Sequence, residues 1–238
     1  MKVILLNAGI GKRLAPITNK IPKCLVRIKD DVTILDNQIK NLLKFNLESF
    51  IILTGPFEEQ IRNHMKKYYP STQVQYINNP MYNKTNYIYS IHLAKKLINE
   101  NVLITHGDLI FSEKLIAKLV ESDDENCVLV NKEIPPPVKD FKAMILNDRI
   151  YNIGVNLTGP QVVFLAPFYK VSKKFIFNWL KQIEIFVNHN KVRQYAEDAL
   201  NEILDKEILK ACYFNEFCTE VDDHDDLQLV RKYFENKH

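Results

Sequence analysis

The chain has 238 residues, 46% of them hydrophobic, and a formal net charge of +3 at pH 7. This charge is too small to indicate nucleic acid or an anionic membrane as a main partner, and the apolar fraction is ordinary for a soluble protein. No apolar run approaches the roughly 20 residues that a membrane-spanning helix needs. We therefore expect one soluble α/β domain located in the cytoplasm.

The first notable stretch is a short apolar run, Val3–Leu6, followed by a turn that contains Gly9 and Gly11. The run predicts a buried parallel strand. Two nearby glycines let the backbone approach a ligand closely. Cations follow at once, as Lys12, Arg13, Lys20 and Lys23. Backbone N–H groups and fixed cations are typical of a phosphate site, although a strand followed by a basic surface loop would give the same pattern.

This turn does not match the two commonest phosphate-binding motifs. A P-loop would need Ser or Thr after Gly11-Lys12, and a dinucleotide fingerprint would need a third glycine where Leu14 stands. Pro16 and Pro22 prevent one continuous helix after the turn. We expect Arg13 and Lys23 to lie on an extended loop that covers the ligand.

Strands and helices then alternate along the chain. Apolar runs predict strands over 50–54, 74–77, 102–105, 127–130 and 162–166, and helical spacing predicts helices starting at 33–36 and over 58–68, 87–97, 113–121 and 168–187. Asn147-Asp148 predicts the turn of a hairpin, and Trp179 is interpreted as a core residue. This order implies right-handed crossovers and a parallel sheet, with ligands at the carboxyl ends of its strands.

Asp108 directly follows the strand predicted over 102–105 and its short exit His106-Gly107. A carboxylate at that place is a natural ligand for Mg²⁺, which also retains water and phosphate oxygens as ligands. The alternative is a carboxylate that only forms a turn. His106 is interpreted as a packing or hydrogen-bonding residue.

The four cysteines, Cys24, Cys127, Cys212 and Cys218, form no C-x-x-C pair. We interpret them as reduced, mostly buried thiols. Lys23 favours a lowered thiol pKa at Cys24, although a small packing residue is the simpler interpretation.

The pattern A-G-x-G-x-R-L-x-P-x-T-x-x-x-P-K, which runs from Ala8 to Lys23, resembles the signature of the nucleotidyltransferases that make NDP-sugars and CDP-alcohols. The resemblance implies a Rossmann-like three-layer αβα fold with a mostly parallel mixed sheet. It implies catalytic roles for Arg13 and Lys23, and it implies metal ligation by Asp108 and by Asp222, the latter in the family's E-[IV]-D-x-x-x-D-L ending. The implied nucleotide-binding residues in the opening stretch are Leu6, Asn7, Ala8, Gly9, Gly11 and Lys12, and Asn7 departs from the small residue that relatives often carry.

Three further segments resemble the cytidylyltransferase branch. Asn86-x-x-x-Ser90 is similar to its CTP-binding arrangement, so Asn83, Thr85, Asn86 and Ser90 are expected to contact the nucleotide, although helix capping explains Asn86 equally well. Asp140-Phe141-Lys142 resembles a D-x-K element whose Lys contacts the acceptor's phosphate, with a solvated charge as the alternative. The segment that starts at Tyr195 resembles Y-x-E-D-x-x-N-E-L-L, so Glu197 and Asp198 either meet a cationic acceptor or favour a helix N-terminus.

The resemblance implies a Mg²⁺-dependent cytidylyltransferase that joins CTP to a small anionic acceptor and releases pyrophosphate. Phosphocholine, 2-aminoethylphosphonate, phosphoglutamine and inositol phosphate are candidate acceptors, and the product would serve synthesis of cell-surface polysaccharide or phospholipid. We expect one domain over 1–238, with an acceptor-binding subregion around 131–160, as a monomer or homodimer. The alternatives are a sugar-1-phosphate nucleotidyltransferase that uses UTP, dTTP or CTP, and a nucleotide-sensing domain of the same fold. A dinucleotide-binding reductase is a third alternative, but this sequence lacks the third glycine that its fingerprint needs.

Overall fold

A nine-stranded mixed sheet forms the centre of the computed structural model, which describes residues 1–236. The strands are β1 (Lys2–Asn7), β2 (Arg27–Lys29), β3 (Val32–Thr33), β4 (Ser49–Thr54), β5 (Gln73–Asn78), β6 (Val102–His106), β7 (Leu109–Ile110), β8 (Cys127–Asn131), β9 (Lys142–Leu146), β10 (Arg149–Gly154), β11 (Val162–Val171), β12 (Lys210–Tyr213) and β13 (Thr219–Glu220). The helices are α1 (Ile34–Leu43), α2 (Glu58–Tyr68), α3 (Tyr87–Ala94), α4 (Glu113–Val120), α5 (Lys173–Asn188), α6 (Ala196–Asn201) and α7 (His224–Glu235).

The strand order of the main sheet is β5-β4-β1-β6-β11-β8-β12-β10-β9, and β9 also pairs with β11. The neighbouring strands β5, β4, β1 and β6 are all parallel, and so are β8 and β12. Strand β11 runs antiparallel to β6 and β8. The expected α/β fold with a mixed sheet is confirmed. Because β1, β4 and β6 are parallel, their carboxyl ends share one edge of the sheet, where Asn7 and His106 lie.

Helices cover both faces of the sheet, so its central strands, such as β1, β4, β6 and β8, are buried on both sides. Side chains alternate along β1: Ile4 packs into the cluster that contains α3, α5 and α6, while Val3 and Leu5 pack into the cluster that contains α1, α2 and α4. A third apolar cluster joins Leu14 and Ile28 to α7. The segment after β1 is therefore anchored against the C-terminal helix.

Two predicted elements differ from the structure, and one is confirmed closely. The helix predicted over 168–187 begins only at Lys173, because β11 continues to Val171 between β6 and β8, with a register irregularity between Leu165 and Tyr169 around Pro167. The loop after Gly11 is not extended but forms three short 3₁₀ turns, at Lys12–Leu14, Ile17–Asn19 and Lys23–Leu25. The hairpin of β9 and β10 turns at Asn147-Asp148 as expected, and both residues have positive φ, as a tight hairpin turn favours.

Candidate active site

The glycine turn after β1 forms one wall of a cleft at the carboxyl edge of the sheet. Leu6, Ala8 and Gly9 line this cleft. Gly11 has φ +62° and lies against the loop, where an added Cβ would come within 3.1 Å of the Lys23 Cβ. The Thr18 hydroxyl donates to the Gly11 carbonyl at 2.7 Å. Glycine is needed at position 11 both for the left-handed backbone and for this close approach.

Four charged side chains meet across the cleft. Lys23 Nζ lies 2.5 Å from Asp108 Oδ2 and 2.8 Å from Asp222 Oδ1. The guanidinium of Arg13, which is more than half exposed, lies 2.8 Å from Asp222 Oδ2. Burial alone would lower the pKa of Lys23, but the two carboxylates raise it above its usual range. Burial likewise opposes the negative charge of Asp108, but Lys23 holds its pKa below the usual value.

The turn that carries Asp108 is fixed from several sides. Gly107 packs so tightly that an added Cβ would lie 1.8 Å from the Asn7 Oδ1 atom. Buried Gln38 of α1 donates its amide to the carbonyls of His106 and Leu109, each at 2.9 Å. The Val221 N–H donates to the Asp108 carbonyl at 3.0 Å, so pairing of β7 with β13 brings Asp222 beside Asp108.

The donor set fits a hard divalent cation. Two carboxylates converge, the buried Asp108 Oδ1 has no hydrogen-bond partner within residues 1–236, and the Lys23 ammonium stands between the carboxylates as a cation. Ligand atoms of His106, Asp108 and Glu220 also lie within 4.8 Å of one another. We expect Asp108 and Asp222 to be the residues that hold the ion.

His106 and Glu220 form a buried pair beside Asp108, with His106 Nδ1 2.8 Å from Glu220 Oε1. Burial would lower the pKa of His106, but the hydrogen bond and charge of Glu220 raise it to about 9. Burial raises the pKa of Glu220 to about 7, although His106 opposes this shift. Both residues line the cleft, and sequence reasoning missed Glu220 as a site residue.

One part of the cleft lining, called the polar end below, consists of amide and hydroxyl side chains. Thr85, Asn86 and Ser90 line it, together with Asn79, whose amide donates to the Thr85 and Ser90 hydroxyls at 3.0 Å each. Asn86 also caps α3, since its Oδ1 accepts the Tyr87 N–H at 2.8 Å. The alternative interpretation of Asn86 as a helix cap is therefore correct, and the same residue still faces the cleft.

A second part of the cleft lining, called the aromatic end below, consists of aromatic rings. Tyr87, Phe141 and Tyr195 line it, and the Tyr195 ring centroid lies 5.0 Å from that of Phe141 and 5.9 Å from that of Tyr87. The His106 ring lies edge-on to Tyr87 at 4.9 Å. Lys139 lines the same end and bonds to Asp223 and Asp226 at 2.7 and 2.6 Å. Sequence reasoning missed these residues, because aromatic residues and an isolated lysine carry no recognisable spacing.

Several sequence-predicted site residues lie away from the cleft lining. Lys12 and Asn83 are exposed and do not line it, and Asn7 is buried behind it with its side-chain amide nitrogen lacking a partner among the described residues. The pKa of Cys24 is raised by burial rather than lowered, so this thiol is a packing residue. Trp179 is buried, as expected, and donates to the Ala196 carbonyl at 2.8 Å.

None of the three expected acceptor residues lines the cleft, and Asp198 instead takes the alternative position, at a helix N-terminus. Lys142 is buried, and its ammonium donates to the carbonyls of Val138, Asp140 and Val155, so it does not face the cleft. Asp198 accepts the Tyr195 N–H at 2.8 Å, which makes it a cap of α6. Glu197 lies beneath the aromatic end, where it accepts hydrogen bonds from the hydroxyls of Tyr87 and, at 2.9 Å, Tyr169.

The fold and the cleft together define an α/β protein with a glycine-containing turn, two cations and paired carboxylates at one sheet edge. The chain matches the nucleotidyl transferase family model over residues 2–136, more than half of its length, and it belongs to that family. It is therefore a nucleotidyltransferase. No helix within residues 1–236 is long and apolar enough to cross a membrane.

Curated relatives include several cytidylyltransferases. The chain is 24% identical to the CTP:phosphoglutamine cytidylyltransferase of Campylobacter jejuni, over 87% of this chain and 89% of that protein. It is 30% identical to the choline-phosphate cytidylyltransferase of Streptococcus pneumoniae, over 51% of each chain. Among solved structures, the inositol-1-phosphate CTP transferase from T. maritima superimposes with a TM-score of 0.81 at 22% identity, covering 98% of this chain and 96% of that one. This structural likeness shows a shared fold.

Proposed function

We propose that the protein is a Mg²⁺-dependent cytidylyltransferase that joins CTP to a small phosphorylated alcohol, phosphonate or phospho-amino-acid and releases pyrophosphate. The observation that carries the proposal is the meeting of Lys23, Arg13, Asp108 and Asp222 beside the glycine turn. Cations that can bind phosphates and carboxylates that can hold a metal are the parts that phosphoryl transfer needs.

The polar end of the cleft supports CTP as the nucleotide. Thr85, Asn86 and Ser90 offer amide and hydroxyl groups that can hydrogen-bond to a base. The amide of Asn79 holds the Thr85 and Ser90 hydroxyls in place. The curated relatives named above act on CTP or choline phosphate by their names, in agreement with cytidine as the base.

The reaction needs positioning more than acid–base catalysis. An oxygen of the acceptor's phosphate or phosphonate attacks the α-phosphorus of CTP, the bond from that phosphorus to the bridging oxygen breaks, and pyrophosphate leaves with the electron pair. The acceptor is already an anion, so no general base is required. Lys23 is suited to the α-phosphate, and the forked guanidinium of Arg13 to the departing β- and γ-phosphates. Bound Mg²⁺ would neutralise charge on the phosphate oxygens.

The aromatic end of the cleft supports an acceptor that bears an amine. The rings of Tyr87, Phe141 and Tyr195 stand close together. Glu220 also lines the cleft, and it bonds to His106, whose ring lies against Tyr87. Aromatic faces and carboxylates attract ammonium groups. Glu197 acts here behind Tyr87, whose hydroxyl it holds. Among the candidate acceptors, this favours phosphocholine, aminoethylphosphonate and phosphoglutamine over inositol phosphate.

The test is pyrophosphate release with Mg²⁺, in which CTP, UTP, dTTP and GTP are each crossed with the four acceptors and several sugar-1-phosphates. Turnover with CTP and an amine-bearing acceptor is the expected result. Turnover with UTP or dTTP and a sugar phosphate would instead make the protein a sugar-1-phosphate nucleotidyltransferase. Asp108→Asn serves as the inactive control, and Lys40→Met, a change at an exposed position of α1, as the active one.

A further inference from the structure

Lys23 occupies the place that a metal ion would need. Its ammonium lies within 2.8 Å of one oxygen from each of the two proposed metal ligands. Those ligands come from positions 85 and 199 residues away along the chain. The lysine side chain is only 12% exposed, so water cannot easily replace it as the partner of these carboxylates.

An ammonium and a divalent cation cannot occupy this place together. Both would bind the same carboxylate oxygens, and two cations at that separation repel strongly in a partly buried site. Divalent cation binding therefore requires Lys23 to leave, and a buried ammonium leaves easily only if another anion accepts it.

The glycine turn provides a route to such an anion. Gly11 packs directly on the Lys23 side chain. A Cβ added at Gly11 would lie 3.1 Å from the Lys23 Cβ and 3.3 Å from the Lys23 Cγ. A triphosphate on this turn would therefore present its oxygens next to Lys23. The lysine then needs only to exchange carboxylate oxygens for phosphate oxygens, without leaving the cleft.

We propose that Lys23 is a resident cation that holds Asp108 and Asp222 together in the ligand-free protein and exchanges with the divalent ion when a nucleotide binds. The inference rests on the proposed function for its nucleotide step. It requires that the divalent ion binds weakly to the protein alone and tightly once a triphosphate is present. Nucleotide and metal then strengthen each other's binding by the same factor.

The test measures Mn²⁺ binding by electron paramagnetic resonance, without nucleotide, for the wild type, Lys23→Met, Lys23→Arg and the control Lys40→Met. Methionine is an unbranched side chain only one atom shorter than lysine, and it removes the charge. We expect Lys23→Met to bind Mn²⁺ at least tenfold more tightly than the wild type, and the other two proteins to bind as weakly as the wild type. The proposal would be overturned if Lys23→Met bound Mn²⁺ as weakly as the wild type does. It would also be overturned if the wild type bound Mn²⁺ tightly without nucleotide.

A second measurement distinguishes loss of the bridging cation from misfolding of the variant. Lys23→Met should melt at a lower temperature than the wild type in chelator, because Asp108 and Asp222 then face each other without the cation that bridges them, and only Arg13 remains on Asp222. Added Mn²⁺ should raise the melting temperature of Lys23→Met to that of the wild type. A melting temperature of Lys23→Met that Mn²⁺ leaves unchanged would contradict the proposal. Because neither measurement uses CTP or an acceptor, a protein that fails the turnover assay can still pass them, so the two failures are distinguishable.

Discussion

Gln38 connects helix α1 to the turn that carries Asp108, and its replacement by Met should weaken both the fold and the proposed activity. The Gln38 amide donates to the carbonyls of His106 and Leu109, each at 2.9 Å, on either side of Asp108. Methionine fills a similar volume but leaves both buried carbonyls without this donor. An unsatisfied buried group costs about 1–3 kcal/mol, and Gln38 Oε1, itself without a partner in the described part of the chain, offsets some of that cost when it is removed.

The expected loss in the free energy of unfolding is therefore about 2–4 kcal/mol, which corresponds to a fall in Tm of roughly 5–12 °C for a chain of this size. A shift of Asp108 by about 1 Å should also lower kcat/KM up to about 100-fold. Urea unfolding and pyrophosphate release measure the two effects. Gln60→Met is the matched control, because the Gln60 amide donates to one exposed carbonyl, that of Lys20, at 2.9 Å. If Gln38→Met and Gln60→Met unfold at the same urea concentration and turn over equally, the positioning role of Gln38 is wrong.

Asp108→Asn should lower kcat by at least about 100-fold while far-ultraviolet circular dichroism stays unchanged, and retained turnover would exclude Asp108 as a metal ligand. Asp36→Asn should cost about 2–4 kcal/mol at pH 7, because the buried Asp36 carboxylate accepts hydrogen bonds from Thr33, His64 and Tyr69. Burial opposes the charge of Asp36, but these hydrogen bonds hold its pKa below the usual value, so the extra stability is present above about pH 4 and is lost as pH falls further. Urea midpoints at pH 7 and pH 3 should show the Asp36→Asn penalty shrinking, and a constant penalty would contradict this. Tyr87→Phe removes the hydroxyl that donates to Glu197 and so leaves the ring in the cleft less firmly held. It should raise the KM for the acceptor several-fold with little change in the KM for CTP, and equal changes in the two KM values would contradict a contact between Tyr87 and the acceptor.

Local pattern was sufficient to predict the elements whose ends are marked by strong signals. Helix α1 starts within 33–36 as expected, with Thr33 as its cap, and Asn147-Asp148 forms the expected hairpin turn. The start of α5 was wrong because the run from Pro167 to Val171 is apolar enough for either a helix or a buried strand, and pairing with β6 decides in favour of the strand. Tertiary pairing of this kind leaves no local trace.

Where backbone and chemistry both constrain a residue, as at Asp108, the sequence pattern pointed to a side chain that lines the cleft. Where only the direction of a side chain matters, the pattern did not. Lys142 follows the expected D-x-K spacing, but as the first residue of β9 it pairs with Gly154 and Phe164, and its ammonium is consumed by three carbonyls. Lys139, in the loop before that strand, faces the cleft instead. The register of β9 therefore keeps Lys142 out of the cleft, and the position of Lys139 depends on the path of the loop before the strand.

The position of Lys23 explains why the two proposed metal ligands can lie side by side before any ligand arrives. Two buried carboxylates that share a site repel each other, and without a cation one of them would take up a proton or move away. Lys23 removes this repulsion, and Arg13 adds a second cation to Asp222. In the proposed exchange, Lys23 competes with the divalent ion for the same carboxylate oxygens. A bound nucleotide would relieve this competition by offering phosphate oxygens to both Lys23 and the divalent ion. The residue that organises the ligand-free site and the residue proposed to bind the α-phosphate are therefore the same lysine, and the order of the site and its readiness for catalysis depend on one ammonium group changing partners.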